Sequence, residues 1–170
     1  SGHPGVLPVL NQAVVEKAVL LARAVRADIH STAYFDRKNY FYPDLPKGFQ
    51  ISQFDRPLAT GGYIDLPIPR AADPEGAGYI RRVRIHKLHI EEDAGKTRHQ
   101  DGCRLVDFDR CGVPLVEMVT EPDLRSAEEA AQYLTRLRQL LRWISVSEAD
   151  MEKGNLRCDA NVSIRLAGSK

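Results

Sequence analysis

The sequence predicts an α+β fold in which a mainly antiparallel sheet carries helices on one face. Two segments place apolar residues at helical spacing behind a good capping residue, and several short segments alternate apolar with polar. The strands and helices lack the regular βαβ rhythm of a doubly wound sheet.

The first helix is expected over residues 12–27. Asn11 is a favourable N-cap, and Val14, Ala18, Leu21, Ala22 and Val25 form its apolar stripe. Pro43 and Pro46 exclude a regular helix from the aromatic-rich stretch that follows. Residues 51–54 and 63–68 read as strands with Gly61-Gly62 as a turn, and residues 73–78 read as an exposed loop. Residues 79–90 form a strand whose alternation is imperfect: Ile80, Arg82, Arg84 and His86 fall on one side, Arg81, Val83, Ile85, Lys87 and His89 on the other. Residues 104–109 and 115–120 are further short strands. A capping box, Ser126-Ala127-Glu128-Glu129, opens the second helix, whose stripe is Ala130, Leu134, Leu137, Leu141 and Ile144. Residues 156–166 alternate again and are expected to be a strand.

Composition excludes several classes. The chain has 170 residues, 43% hydrophobic and 28% charged, with a net charge of +1, so no strong basic field marks it for nucleic acid. No apolar run approaches the roughly 18 residues a membrane span needs. Cys103, Cys111 and Cys158 are widely spaced and odd in number, which disfavours a disulfide framework or a zinc site and fits a reducing, cytoplasmic setting. The start lacks the pattern of a signal peptide, and both ends read as cut from a longer chain. No P-loop, nucleophile elbow or His-Glu-x-x-His motif is present.

Chemistry concentrates in a few places. In His89-Ile90-Glu91-Glu92-Asp93-Ala94-Gly95-Lys96, alternation sets His89, Glu91 and Asp93 on one face and Glu92 on the other. Neighbouring carboxylates of this kind suit magnesium ions (Mg2+) bound with substrate phosphates, or else an acidic strand end in water. Glu117 interrupts the apolar run Leu115-Val116-Glu117-Met118-Val119 and calls for a cation or an arginine partner. Residues 121–123 form a polar corner. Residues 36–44 interleave cations with aromatic rings, as a nucleotide-holding loop or a surface cation–π pair would. Arg157, Asp159, Asn161, Ser163 and Arg165 share one face of the last alternating segment.

Five long segments in this order resemble one family. They are Pro4-Gly5-Val6-Leu7-Pro8-Val9-Leu10-Asn11, the run from Phe35-Asp36-Arg37-Lys38-Asn39-Tyr40-Phe41-Tyr42-Pro43-Asp44 to Asp55, His89 to Lys96, Gly112 to Asp123, and Gly154 to Arg165. Together they are similar to the B-type subunit of the glutamyl/aspartyl-tRNA amidotransferases and to its archaeal E-type relative. The resemblance implies that residues 1–170 are part of the catalytic cradle domain, with a fold like that of glutamine synthetase and the guanidino kinases. An upstream metal-binding strand and C-terminal helical and tail domains would lie outside it, leaving the isolated piece inactive.

It further implies ATP-dependent phosphorylation of the side-chain carboxylate of a misacylated tRNA, Glu-tRNA(Gln) or Asp-tRNA(Asn). Amidation would follow with ammonia from the A-type glutaminase subunit, which the small C-type subunit joins to this one. Glu92 and Glu117 match the family's metal-binding glutamates, with His89 and Glu91 beside them. Lys38 is the candidate phosphate contact, and Arg157 and Asp159 line the same cradle. The cofactors implied are ATP and Mg2+. Two rival readings are a tRNA-independent metal-dependent ligase or hydrolase and a non-catalytic RNA-binding or scaffold module.

Overall fold

A computed structural model describes residues 7–69, 78–164 and 166. Nine strands and two helices are found among these residues: α1 Gln12–Ala24, β1 Asp28–Ile29, β2 Asp36–Asn39, β3 Phe49–Ser52, β4 Ala59–Thr60, β5 Tyr63–Ile68, β6 Tyr79–Glu92, β7 Lys96–Gln100, β8 Cys103–Asp107, β9 Pro114–Thr120 and α2 Ala127–Trp143. Every pairing among them is antiparallel.

The long strand β6 organises the sheet. β5 pairs with its first half and β4 with its middle, while β9 pairs along its second half and β1 extends the sheet beyond β4. Its uneven alternation has a local cause. The register with β9 slips between Ile85 and Lys87, so His86 is an extra residue, as in a β-bulge. Before the bulge the core takes odd positions, Val83 and Ile85; after it, even positions, Leu88 and Ile90. His86 and the arginines at 82 and 84 stay exposed and are matched by acids: Arg82 with Asp65, Arg84 with Asp123 and His86 with Glu121. The expected polar corner is therefore half of a surface ion-pair ladder.

Both helices contribute to one core. Leu21, Ala22 and Val25 from the first helical region and Tyr133, Leu137 and Leu141 of α2 cluster with Ile64, Leu66, Val83, Ile85 and Leu88. The Asn11 side chain accepts from the Ala13 amide, as a cap should. α1 ends three residues earlier than its apolar pattern suggests, because Arg26 turns into the left-handed region (φ 59°) and leads the chain into β1. Gly62 makes the adjoining turn possible. At φ +91° a Cβ there would lie 2.4 Å from the Val25 carbonyl oxygen, the acceptor of the Tyr63 amide.

Ser126 caps α2 by accepting from the Glu129 amide at 3.2 Å. The reciprocal half of the capping box is altered. Glu129 is 1% exposed and accepts from the Arg125 amide, the Tyr79 hydroxyl and Arg81 Nε at 2.7, 2.7 and 2.9 Å. The helix stripe accordingly runs through Glu129, Tyr133, Leu137 and Leu141, with Ala130 and Leu134 on its margin.

Other expectations are corrected. Residues 51–54 and 63–68 do not pair across Gly61-Gly62: β3 pairs with β2, and β5 with β6. Residues 156–164 form no strand and are mostly exposed, Val162 and Ile164 almost fully. Alternation supplies a face but not a neighbouring edge, and a strand needs both. Arg165 and the expected loop at 73–77 lie outside the described residues.

Candidate functional site: a histidine and two carboxylates on paired strands

The candidate site lies on one face of the β6–β9 ladder. His89 and Glu117 are directly opposed in the antiparallel register, and Glu91 is two residues farther along β6. Directly opposed residues share a face, and so do residues two apart on a strand. The result is a compact group: His89 Nε2 is 3.5 Å from Glu91 Oε2 and 3.4 Å from Glu117 Oε2. One ligand atom from each residue lies within 4.8 Å of the other two.

The donor set fits a divalent cation. In an octahedral shell of oxygen or nitrogen ligands at about 2.1 Å, neighbouring ligands lie about 3 Å apart and opposite ones about 4.2 Å. The two His89 contacts fall inside that range. Two hard carboxylate oxygens with one imidazole nitrogen favour Mg2+ or Mn2+ over a thiophilic metal. His89 is 5% exposed; its Nδ1 has no hydrogen-bond partner among the described residues, and its Nε2 faces the two carboxylates. Glu117 keeps a half-exposed side chain, leaving the group open to a ligand from one side.

Glu92 is not brought into this group. Its carboxylate points the other way, to a buried ion pair with Lys47 and to the Ile51 amide at 2.8 Å. The metal set implied by the resemblance, Glu92, Glu117 and His89, is thus divided, and Glu91 stands where Glu92 was expected. The alternation of the sequence had already put Glu91 beside His89 and Glu92 opposite.

Around Glu92 the segment 50–53 holds the end of β6. Gln50 Nε2 donates to the Glu92 carbonyl at 2.7 Å, and Gln53 Oε1 accepts from the Ile90 amide at 2.9 Å. Both glutamines are buried. Their side-chain amides satisfy backbone groups of β6 just past the short strand β4, where no ladder partner remains on that edge. Ser52 Oγ donates to Glu91 Oε2 at 3.3 Å. Lys47, Gln50, Ser52 and Gln53 were not among the site residues expected from the sequence, since their roles come from contacts with β6 that no local pattern carries.

Lys38 lies on β2, opposite Gln50, and is exposed; its Nζ sits 5.9 Å from the Tyr40 ring centre. Tyr40 stands near the acids: burial, then the charges of Asp44, Glu91 and Glu92, push its hydroxyl above the ordinary tyrosine value. Phe41 and Tyr42 project into solvent beside it. Buried Asp93, next in the chain after the end of β6, pairs with both Arg110 and Arg157, so Arg157 is tied near that strand end. Asp159 is exposed and joins no described cluster.

Comparison with known proteins places this geometry in a family. Residues 1–170 match the GatB/GatE catalytic domain. The chain is 53% identical over 169 residues to the B-type subunit of the aspartyl/glutamyl-tRNA(Asn/Gln) amidotransferase of Persephonella marina, covering 99% of this chain and 34% of the relative. It is 51% identical over 170 residues to the protein of that name from Pseudothermotoga lettingae, covering 96% of this chain and 34% of the relative. For that of Brevibacillus brevis the identity is 52% over 171 residues, covering 99% and 34%. The chain therefore spans about a third of the length of these relatives. With its whole length matched in this way, the chain belongs to the GatB/GatE catalytic domain family.

Proposed function

We propose that this chain is part of the ATP-using site of a tRNA-dependent amidotransferase, where the side-chain carboxylate of Glu-tRNA(Gln) or Asp-tRNA(Asn) is activated by phosphorylation. The observation that carries the reading is the convergence of His89, Glu91 and Glu117 in a chain of this family. Ammonia from the A-type glutaminase subunit would then displace the phosphate, with the small C-type subunit joining the two. A fold likeness to glutamine synthetase and the guanidino kinases belongs to the same reading.

His89, Glu91 and Glu117 would hold Mg2+. Bound there, the cation supplies charge neutralisation between the phosphates of ATP and the acceptor carboxylate, which otherwise repel. The remaining work falls to positioning. Lys38 and Arg157 offer cationic contacts to phosphate, Lys38 from β2 and Arg157 from its tether on Asp93. The exposed rings of Phe41 and Tyr42 offer faces for a nucleobase. Closure over this face would protect the acyl phosphate from water.

The test uses the full-length protein together with its partner subunits. Glu117→Gln should lower ATP-dependent conversion of Glu-tRNA(Gln) at least about 100-fold, the scale on which loss of electrostatic stabilisation acts, and leave glutamine hydrolysis without tRNA intact. Conversion within a few-fold of the parent would remove Glu117 from the site. Conversion of free glutamate without tRNA would favour the tRNA-independent ligase instead.

A further inference from the structure

We infer that Ser52 is a positioning residue for the metal site: its hydroxyl aims the Glu91 carboxylate at His89 and Glu117. The inference rests on the reading of those three residues as metal ligands and goes beyond it by adding a residue from outside the β6–β9 ladder.

The oxygen that Ser52 contacts is the one that faces the histidine. Ser52 Oγ donates to Glu91 Oε2 at 3.3 Å, and the same oxygen lies 3.5 Å from His89 Nε2. Glu91 has three torsions between its backbone and its carboxylate, and no other hydrogen bond fixes that carboxylate among the described residues. His89 needs no such help, being 5% exposed and packed. Glu117 stands opposite His89 in the ladder, with a half-exposed side chain and no hydrogen bond among the described residues. Of the two carboxylates, Glu91 is therefore the one that a neighbouring hydrogen bond directs among the described residues, and Ser52 supplies it.

Ser52 is itself held in place. It ends β3, paired with Asp36 of β2, and stands between residues that bond neighbouring atoms of β6: Ile51 to the Glu92 carboxylate and Gln53 to the Ile90 amide. A hydroxyl fixed at both flanks costs little entropy to hold, so it can direct a mobile carboxylate. Outer partners that orient ligands commonly alter metal affinity about 10- to 100-fold when removed. A hydroxyl at 3.3 Å belongs at the lower end of that span.

The experiment titrates Mn2+ into the full-length protein in its complex and reads free Mn2+ by electron paramagnetic resonance, which needs no turnover. Ser52→Ala should weaken binding about tenfold, and Ser52→Thr, which keeps the hydroxyl and suits a strand, should bind within about twofold of the parent. Thermal unfolding of each variant separates lost orientation from lost structure. If Ser52→Ala destabilises the protein, Ser52→Thr and Ser52→Cys decide, since Thr keeps a strong donor and Cys only a weak one of similar size. Equal Mn2+ affinity with and without the hydroxyl, while Glu91→Gln weakens binding, would overturn the inference and spare the metal site. Insensitivity to Glu91→Gln and Glu117→Gln would overturn the metal reading and the inference with it.

Discussion

His89 and Glu117 are opposed partners in the β6–β9 ladder, and their side chains meet with Nε2 3.4 Å from Oε2. They are far apart in sequence, and only strand register brings them together. A slip of one residue would turn Glu117 to the other face and dismantle the group. The bulge at His86 is thus part of the site, because it sets the register of everything beyond it on β6.

Glu91 and Glu92 should behave differently when each is changed to Gln. Glu91→Gln removes charge from the group facing His89 and should weaken Mn2+ binding at least about tenfold. Glu92→Gln leaves Lys47 buried without its carboxylate and should loosen β3 instead. The check is metal titration beside hydrogen exchange of residues 49–52: one variant should lose affinity, the other protection. The reverse pattern would return Glu92 to the ligand set.

Gly62→Ala should destabilise the turn between β4 and β5. The new methyl group would sit in a left-handed conformation, 2.4 Å from the Val25 carbonyl oxygen and 2.8 Å from the Ala27 amide nitrogen. Neither backbone atom can yield cheaply, so the cost should be about 1–3 kcal/mol. Hydrogen exchange of the β5 amides in the full-length protein measures it as faster opening. Unchanged protection would mean that the loop from α1 moves freely.

Glu129 should give the protein an acid-sensitive stability. Burial alone would raise its pKa, but hydrogen bonds from Tyr79, the Arg125 amide and Arg81 outweigh burial and hold it below the ordinary value of 4.5. A depressed folded pKa means the unfolded chain takes up the proton first as pH falls. The contribution is therefore full above about pH 4.5 and is lost as pH drops through the folded value. The gap in unfolding temperature between parent and Glu129→Gln should be constant from about pH 5 to 7 and shrink as pH falls below about 4.5. A gap that does not change with pH would mean that Glu129 acts by packing alone.

The second helix and its Ser126 cap were legible because capping and a 3.6-residue stripe are local signals, satisfied within a few turns of chain. Strand β5 was likewise legible, bounds included. The short strands β1, β2, β4 and β7 were not, since two to five residues carry too little periodicity and exist through their partners. Residues 156–164 show the converse, a strand pattern with no edge beside it.

Alternation along a strand is enough to separate Glu91 from Glu92, because side chains on a strand alternate whatever else the chain does. The long segments in order likewise identify the family. It takes the folded chain to bring Glu117 to face His89, to hold Glu92 away through Lys47 and Ile51, and to bring Ser52 to Glu91. Each of those contacts joins residues from separate strands or loops, well beyond the reach of any local pattern. Register, bulge and packing fix them, and none of the three is written in any short window of sequence.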